Sequence, residues 1–207
     1  MSQEHTLPKA IRGFSGINRY WDKYVNMPTA KILPGEYYVT YHEEAIVTVL
    51  GSCVSACVRD RKFNIGGMNH FMLPQQNKYV DNDVLADSNR YGNFAMENMI
   101  NEILKNGGRR QNLEVKIFGG GKILASMTDI GHRNIQFVHE YIQEEALDLV
   151  AEDTGDIYPR KVMYFPYTGK VKVKRLRSLH NNTIVEREMT YMHDIEDKPV
   201  AGEIELF

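Results

Sequence analysis

The sequence predicts a single α/β (α+β) domain, and three observations carry that reading. β-Prone runs of strand length open and close the central part of the chain, two amphipathic stripes of helical period lie between them, and glycine or proline marks most of the boundaries. Strands clustered at both ends with helices between them imply a sheet with helices packed over it.

The elements follow in order. Residues 1–29 carry few periodic apolar positions but several aromatics, Phe14, Tyr20, Trp21 and Tyr24, and read as an N-terminal arm, either docked through those rings or loose. The domain proper, residues 30–175, opens at Lys31-Ile32-Leu33-Pro34-Gly35, a turn signal leading into the β-prone run Tyr37 to Tyr41. Ala45 to Leu50 is a continuous apolar run, interrupted by Gly51-Ser52; Cys53 to Val58 and Ile65 to Leu73 read as further strands, and their short connections imply an antiparallel start. The polar stretch Gln75 to Ser88 reads as a loop. Ala95, Met96, Met99, Ile100, Ile103 and Leu104 then form one helical stripe, closed by Gly107-Gly108. Leu113 to Phe118 is a strand running into Gly119-Gly120-Gly121, and Ile135, Val138, Tyr141, Ile142 and Ala146 make a second helical stripe. Leu147 to Ala151 is a strand, and Lys161 to Phe165 with Lys170 to Val173 flank Tyr167-Thr168-Gly169 as a hairpin. Beyond Leu176 clear periodicity is lost, and residues 176–207 read as a C-terminal extension of uncertain structure.

Composition narrows the function. The 207 residues are 43% hydrophobic and 25% charged, enough for a core without disulfide or metal staples. A formal net charge of -2 supplies no basic field for nucleic acid. Cys53 and Cys57 lack the second cluster of a zinc knuckle, and the seven histidines show neither HxxxH nor HExxH, so no structural zinc site is expected, and the cysteine chemistry described below gives no role to a metal or organic cofactor. The opening SQEHTLPKAIRG lacks the apolar core of a signal peptide, and Ala45 to Val58 is too short to span a bilayer. The expectation is a cytoplasmic protein with free thiols and no membrane insertion.

The chemistry gathers around Thr48-Val49-Leu50-Gly51-Ser52-Cys53, with His70 seventeen positions after Cys53. A thiol just after Gly-Ser, between two apolar strands, sits where the backbone is irregular and N–H groups can converge into an oxyanion hole. If the strand carrying His70 runs back beside Cys53, its imidazole can draw off the thiol proton, and the hydroxyl of Thr48 is placed to orient the ring. Spacing alone leaves a second reading open, in which Cys53 is a small core residue and His70 a hydrogen-bonded core histidine. Cys57 reads as a buried structural thiol. The glycine triplet lacks the spacing of a phosphate loop and reads as a tight turn. Glu152 or Asp153 could orient His70 in place of Thr48, though a charged strand end is the simpler reading. His132 reads as solvent-facing, and Met68, Met72, Met96 and Met99 as packing residues.

The runs LGSCVSACVRD and IGGMNHFMLP, followed in order by KIFGGGKIL, IGHRNIQFV and LVAEDTGD, resemble the signature of the CheD family. INRYWDKY and KILPGEYYVT resemble its members with N-terminal extensions, so the likeness spans roughly Asn18 to Val173. The resemblance implies a three-layered α/β sandwich and deamidation of specific glutamines on the cytoplasmic helices of methyl-accepting chemoreceptors. Some members also hydrolyse glutamyl methyl esters. It also implies Cys53 as nucleophile, His70 as base and Thr48 as the orienting hydroxyl, with a thioester intermediate, and a CheC-like phosphatase as a second partner. Two other functions fit the residues less well. One is a general cysteine hydrolase, such as a peptidase or a transglutaminase-like protein; against a peptidase, the C-G-[SA]-C-[WY] signature of papain-like enzymes is missing here. An adaptor binding receptors or a CheC-like phosphatase without catalysis would not need both Cys53 and His70.

Overall fold

The computed structural model describes residues 6–74, 83–123, 130–177 and 182–197. Among them the chain forms ten strands and three α-helices: β1 (Asn18–Asp22), β2 (Met27–Lys31), β3 (Tyr37–Thr40), β4 (Ala45–Leu50), β5 (Val54–Asp60), β6 (Ile65–Asn69), α1 (Asp83–Lys105), β7 (Leu113–Gly119), α2 (Ile130–Glu144), β8 (Asp148–Thr154), β9 (Arg160–Phe165), β10 (Lys170–Arg175) and α3 (Asn182–Asp197). The strands make two mixed five-stranded sheets, ordered β1-β2-β4-β9-β10 and β3-β6-β5-β7-β8. The β2–β4 and β7–β8 pairs are parallel and the others antiparallel.

The expected α/β class holds, with one correction: two sheets replace the single sheet inferred from strand order. α1 packs on β3, β5 and β6, and α2 on β5, β7 and β8, so both helices cover the second sheet. Its other face meets the first sheet, where the Lys116 ammonium on β7 donates to the Gly169 carbonyl at the β9–β10 turn, 2.7 Å away. The layers are therefore helices, sheet, sheet. β4 and β5 are the central strands of the two sheets, and Gly51-Ser52-Cys53 is where the chain crosses from one to the other. That accounts for the continuous apolar run Ala45–Leu50. Ile46 and Leu50 belong to the main core, while Ala45 and Val47 pack with Met163 under Val25, Met27 and Phe165 on the opposite face.

Three further boundaries differ from the sequence reading. α1 starts at Asp83, inside the stretch read as a loop, of which residues 75–82 lie outside those described. β6 ends at Asn69, because Asn69 turns its side chain into the ladder: its Oδ1 accepts the Ala56 N–H, and its carbonyl accepts from the Ser55 hydroxyl. The region after Leu176 contains α3, whose Ile184, Glu188 and Ile195 are buried. At the other end of the chain, β1 and β2 form a hairpin on the edge of the first sheet, and Phe14 packs edge-on against Tyr37 and Tyr38. Tyr24 stays fully exposed.

Arg160 is fully buried at the start of β9, yet each of its donor nitrogens is used. Nε donates to Asp153 Oδ1 at 3.0 Å, Nη1 to the Tyr158 carbonyl at 3.1 Å and Nη2 to the Gly155 carbonyl at 2.7 Å. This clamp fastens the end of β8 to β9, beside the glycine triplet. Removing one partner of a buried pair leaves desolvated groups behind, so Arg160→Ala is expected to lower unfolding stability by about 3 kcal/mol. Urea denaturation checks this; an unchanged midpoint would show that the clamp contributes nothing.

Candidate active site

The crossing Gly51-Ser52-Cys53 is held by its carbonyls. The Gly51 carbonyl accepts from Gly121 N–H at 2.7 Å, the Cys53 carbonyl from Gly120 N–H at 2.8 Å, and the Ser52 carbonyl from Asn134 Nδ2 at 2.9 Å. The Gly51 and Ser52 carbonyls share their planar peptide units with the N–H groups of Ser52 and Cys53, so tying those carbonyls to the glycine triplet and α2 turns these N–H groups the other way. The triplet can come this close only without side chains. Gly119 and Gly120 have φ of +107° and +67°, and a Cβ on Gly119 would lie 2.2 Å from the Cys53 carbonyl oxygen. Asn134 is fully buried on the apolar face of α2, and its Oδ1 also accepts the Leu73 N–H at 2.8 Å. One side chain thus ties the cysteine turn to the segment that carries His70.

His70 lies just past β6, with its backbone fixed on both sides: its N–H donates to the Glu36 carbonyl and its carbonyl accepts from Gly35 N–H. Those partners belong to the turn Leu33-Pro34-Gly35-Glu36, closed by a 3.0 Å bond from Glu36 N–H to the Leu33 carbonyl, with Gly35 at φ +82°. The predicted turn therefore has a further use, since it positions the imidazole. Thr48, on β4, bonds His70 Nδ1 at 2.8 Å and the Ile32 carbonyl at 2.9 Å. A hydroxyl has one proton, and a carbonyl can only accept. Thr48 therefore donates to Ile32 and accepts from Nδ1–H, which leaves the lone pair of the neutral ring on Nε2. That nitrogen is buried and has no hydrogen-bond partner among the described residues.

The sequence reading did not anticipate Glu188. The Cys53 sulfur, a His70 ring nitrogen and a Glu188 carboxylate oxygen lie within 4.8 Å of one another, and all three residues are buried. Glu188 Oε1 accepts from Gly51 N–H at 2.7 Å and, more distantly, from Cys53 N–H at 3.4 Å. Oε2 accepts from Ser52 N–H at 2.8 Å and the Ser52 hydroxyl at 2.7 Å. The converging N–H groups expected near Cys53 are thus present, and they bind a carboxylate. A Cβ on Gly51 would stand 2.7 Å from Oε2, so glycine is what lets the carboxylate approach. With both oxygens committed to these donors, Glu188 has little capacity left to ligate a metal with Cys53 and His70. The one sequence signal for this residue is the spacing Ile184, Glu188, Tyr191, Ile195, a helical stripe broken by a charge.

The surroundings keep the pair uncharged. Burial, reinforced by the Glu188 carboxylate, pushes the Cys53 thiol well up, and the Arg187 guanidinium only partly offsets this. Burial, helped by Arg187, pulls His70 down to about 3. Arg187 itself donates to the Val49 carbonyl at 3.0 Å.

Other residues named from the sequence lie elsewhere. Cys57 is a buried free thiol, pushed up by burial. Asp153 binds Arg160 and Arg175, and Glu152 pairs with His139, so neither carboxylate is engaged with His70. His132 is exposed on α2, while Met68, Met72, Met96 and Met99 are in the core.

Comparison with known proteins gives the arrangement its context. A family model described as CheD chemotactic sensory transduction matches residues 72–175, just past His70. Relatives carry the match across the whole site. A protein of Halorhodospira halophila named "Probable chemoreceptor glutamine deamidase CheD" is 53% identical over 205 residues, which is 98% of this chain and 95% of its own. Proteins of the same name from Methylobacillus flagellatus and Thiobacillus denitrificans are 55% identical over 192 residues and 53% over 203, covering 92% and 97% of this chain and 95% and 100% of theirs. At that identity and coverage, with the alignments running from the N-terminal hairpin into α3, the chain belongs to the CheD family.

Proposed function

We propose that this protein deamidates specific glutamines of methyl-accepting chemoreceptors, with Cys53 as nucleophile, His70 as base and Thr48 as the residue that positions the ring. The observation that carries the reading is the hydrogen-bonded series Ile32 carbonyl, Thr48 hydroxyl and His70 Nδ1, set beside a thiol and a backbone N–H cluster that binds a carboxylate. The names of the relatives supply the substrate.

The steps follow from these groups. His70 Nε2 takes the Cys53 proton and the thiolate attacks the glutamine carboxamide carbon. The negative oxygen of the tetrahedral intermediate binds the Gly51 and Ser52 N–H groups. The imidazolium returns its proton to the departing nitrogen, releasing ammonia and leaving a thioester on Cys53. Water, deprotonated by the same nitrogen, then cleaves the thioester to glutamate and regenerates the thiol. A glutamyl methyl ester presents the same carbon with methanol as leaving group, so esterase activity would use the same residues. The implied setting is the cytoplasm, where the signalling ends of receptors lie, with a CheC-like phosphatase as a second partner by family resemblance. Complete burial of Cys53 favours the adaptor reading, in which the protein binds receptors without catalysis.

Peptide mass spectrometry of a receptor cytoplasmic fragment separates the two. The wild type should convert particular glutamines to glutamates, Cys53→Ala none, and His70→Ala about 10²- to 10⁴-fold more slowly. Equal binding by wild type and Cys53→Ala, with no conversion by either, would support the adaptor. Thr48→Val leaves the Nδ1–H donor unpaired, a loss of about 1–3 kcal/mol, so kcat should fall about 10- to 100-fold. Thr48→Ser should restore most of it. A fully active Thr48→Val enzyme would move the positioning role elsewhere.

A further inference from the structure

We infer that α3 occupies the groove in which the substrate helix binds, and that Glu188 is an internal product analogue which substrate must displace. The inference rests on the deamidase reading above. A glutamate side chain is what deamidation of a glutamine leaves behind. Here one is presented from a helix, fully buried, with both carboxylate oxygens on the N–H groups of Gly51 and Ser52 and within 4.8 Å of the Cys53 sulfur. A carboxylate satisfying those donors fills the place where the carboxamide oxygen of a substrate would sit.

The rest of α3 fits the same part. Ile184, Tyr191 and Ile195 stand four residues before and three and seven after Glu188, on the face turned to the domain. Tyr191 shares a hydrogen bond with Tyr91 of α1 through their hydroxyls, and its ring lies 3.1 Å from where a Cβ on Gly35 would be. The opposite side of α3, with Glu186, Met189, Thr190, His193 and Asp194, is exposed. The groove therefore accepts an amphipathic helix that presents one polar side chain from the middle of an apolar stripe. A competing helix should carry glutamine at the position of Glu188 and bulky apolar residues at those three offsets. While α3 is seated, Cys53 and His70 are shut off from solvent and stay neutral, so the site rests without a thiolate.

The test turns α3 into a substrate. In Glu188→Gln the amide at position 188 should be lost through Cys53, either as an internal thioester with release of ammonia or, after hydrolysis, as glutamate. Intact-mass and peptide spectrometry should show this at a rate independent of protein concentration, and not in the double variant with Cys53→Ala. A second readout needs no catalysis: Cys53 should react with iodoacetamide about 10- to 100-fold faster in Glu188→Ala than in the wild type, since α3 then loses charge-assisted bonds that hold the closed form. The inference is overturned if Glu188→Gln deamidates a receptor fragment while its own amide at 188 stays intact. It is also overturned if Cys53 alkylation is the same in the wild type and Glu188→Ala. If no variant deamidates the receptor fragment, the deamidase reading fails, and the alkylation rates still report whether α3 guards the thiol.

Discussion

Three hydrogen bonds to three consecutive carbonyls organise this molecule. Gly121, Asn134 and Gly120 take up the carbonyls of Gly51, Ser52 and Cys53, at the point where the chain leaves the central strand of one sheet for the central strand of the other. A peptide unit whose carbonyl is fixed on one side aims its N–H the opposite way, so tying the Gly51 and Ser52 carbonyls directs the Ser52 and Cys53 N–H groups toward the anion-binding cluster. The glycine triplet and the start of α2 meet at a distance no side chain would permit: a Cβ on Gly131 would stand 2.6 Å from the Gly120 carbonyl oxygen. Arg160 braces the neighbouring strand end, where its Nη1 would lie 3.5 Å from a Cβ on Gly121. Fold and site are thus joined at the backbone of the crossing, by two backbone bonds and one from the Asn134 side chain.

A polar group buried in such a place has to be matched. Asn134 uses both ends of its amide, Thr48 both its donor and an acceptor site, and Glu188 both oxygens. Among the described residues two atoms at the site go unmatched, Arg187 Nε and the ring nitrogen His70 Nε2. An unmatched acceptor is costly in the interior, and here it is the atom that the proposed chemistry employs. The histidine gains its tautomer from Thr48, and Thr48 gains its orientation from Ile32 in the chain just before β3. A neutral hydroxyl fixes the ring without adding a negative charge beside the thiol.

Much of this was legible in the sequence, and the gaps have physical reasons. The apolar run Ala45–Leu50 declared a strand buried on both faces, and the glycine-serine break after it marked the site of the turn. The positions Cys53, His70 and Thr48, named from motif and resemblance, come together in space. Local pattern could not show that β4 and β5 lie in different sheets, because strand pairing is decided by tertiary contacts and leaves little trace in periodicity. Asn134 passed unnoticed as a polar residue on an apolar helical stripe, since its partners, Leu73 and Ser52, are 61 and 82 residues away. Glu188 was hidden for the same reason. A charge in mid-stripe looks like the end of a pattern until the N–H groups it binds, 135 to 137 residues earlier, are known.

These relations converge on one atom, the Cys53 sulfur, and a trapped intermediate reports on it. The protein would be mixed with a helical receptor peptide bearing a modifiable glutamine, quenched in acid within milliseconds to seconds, digested and read by mass spectrometry. The peptide should be found joined to Cys53 with loss of ammonia, an adduct that decays on hydrolysis as glutamate appears. Glutamate formation with no adduct on Cys53, or with the adduct on Cys57 instead, would contradict it.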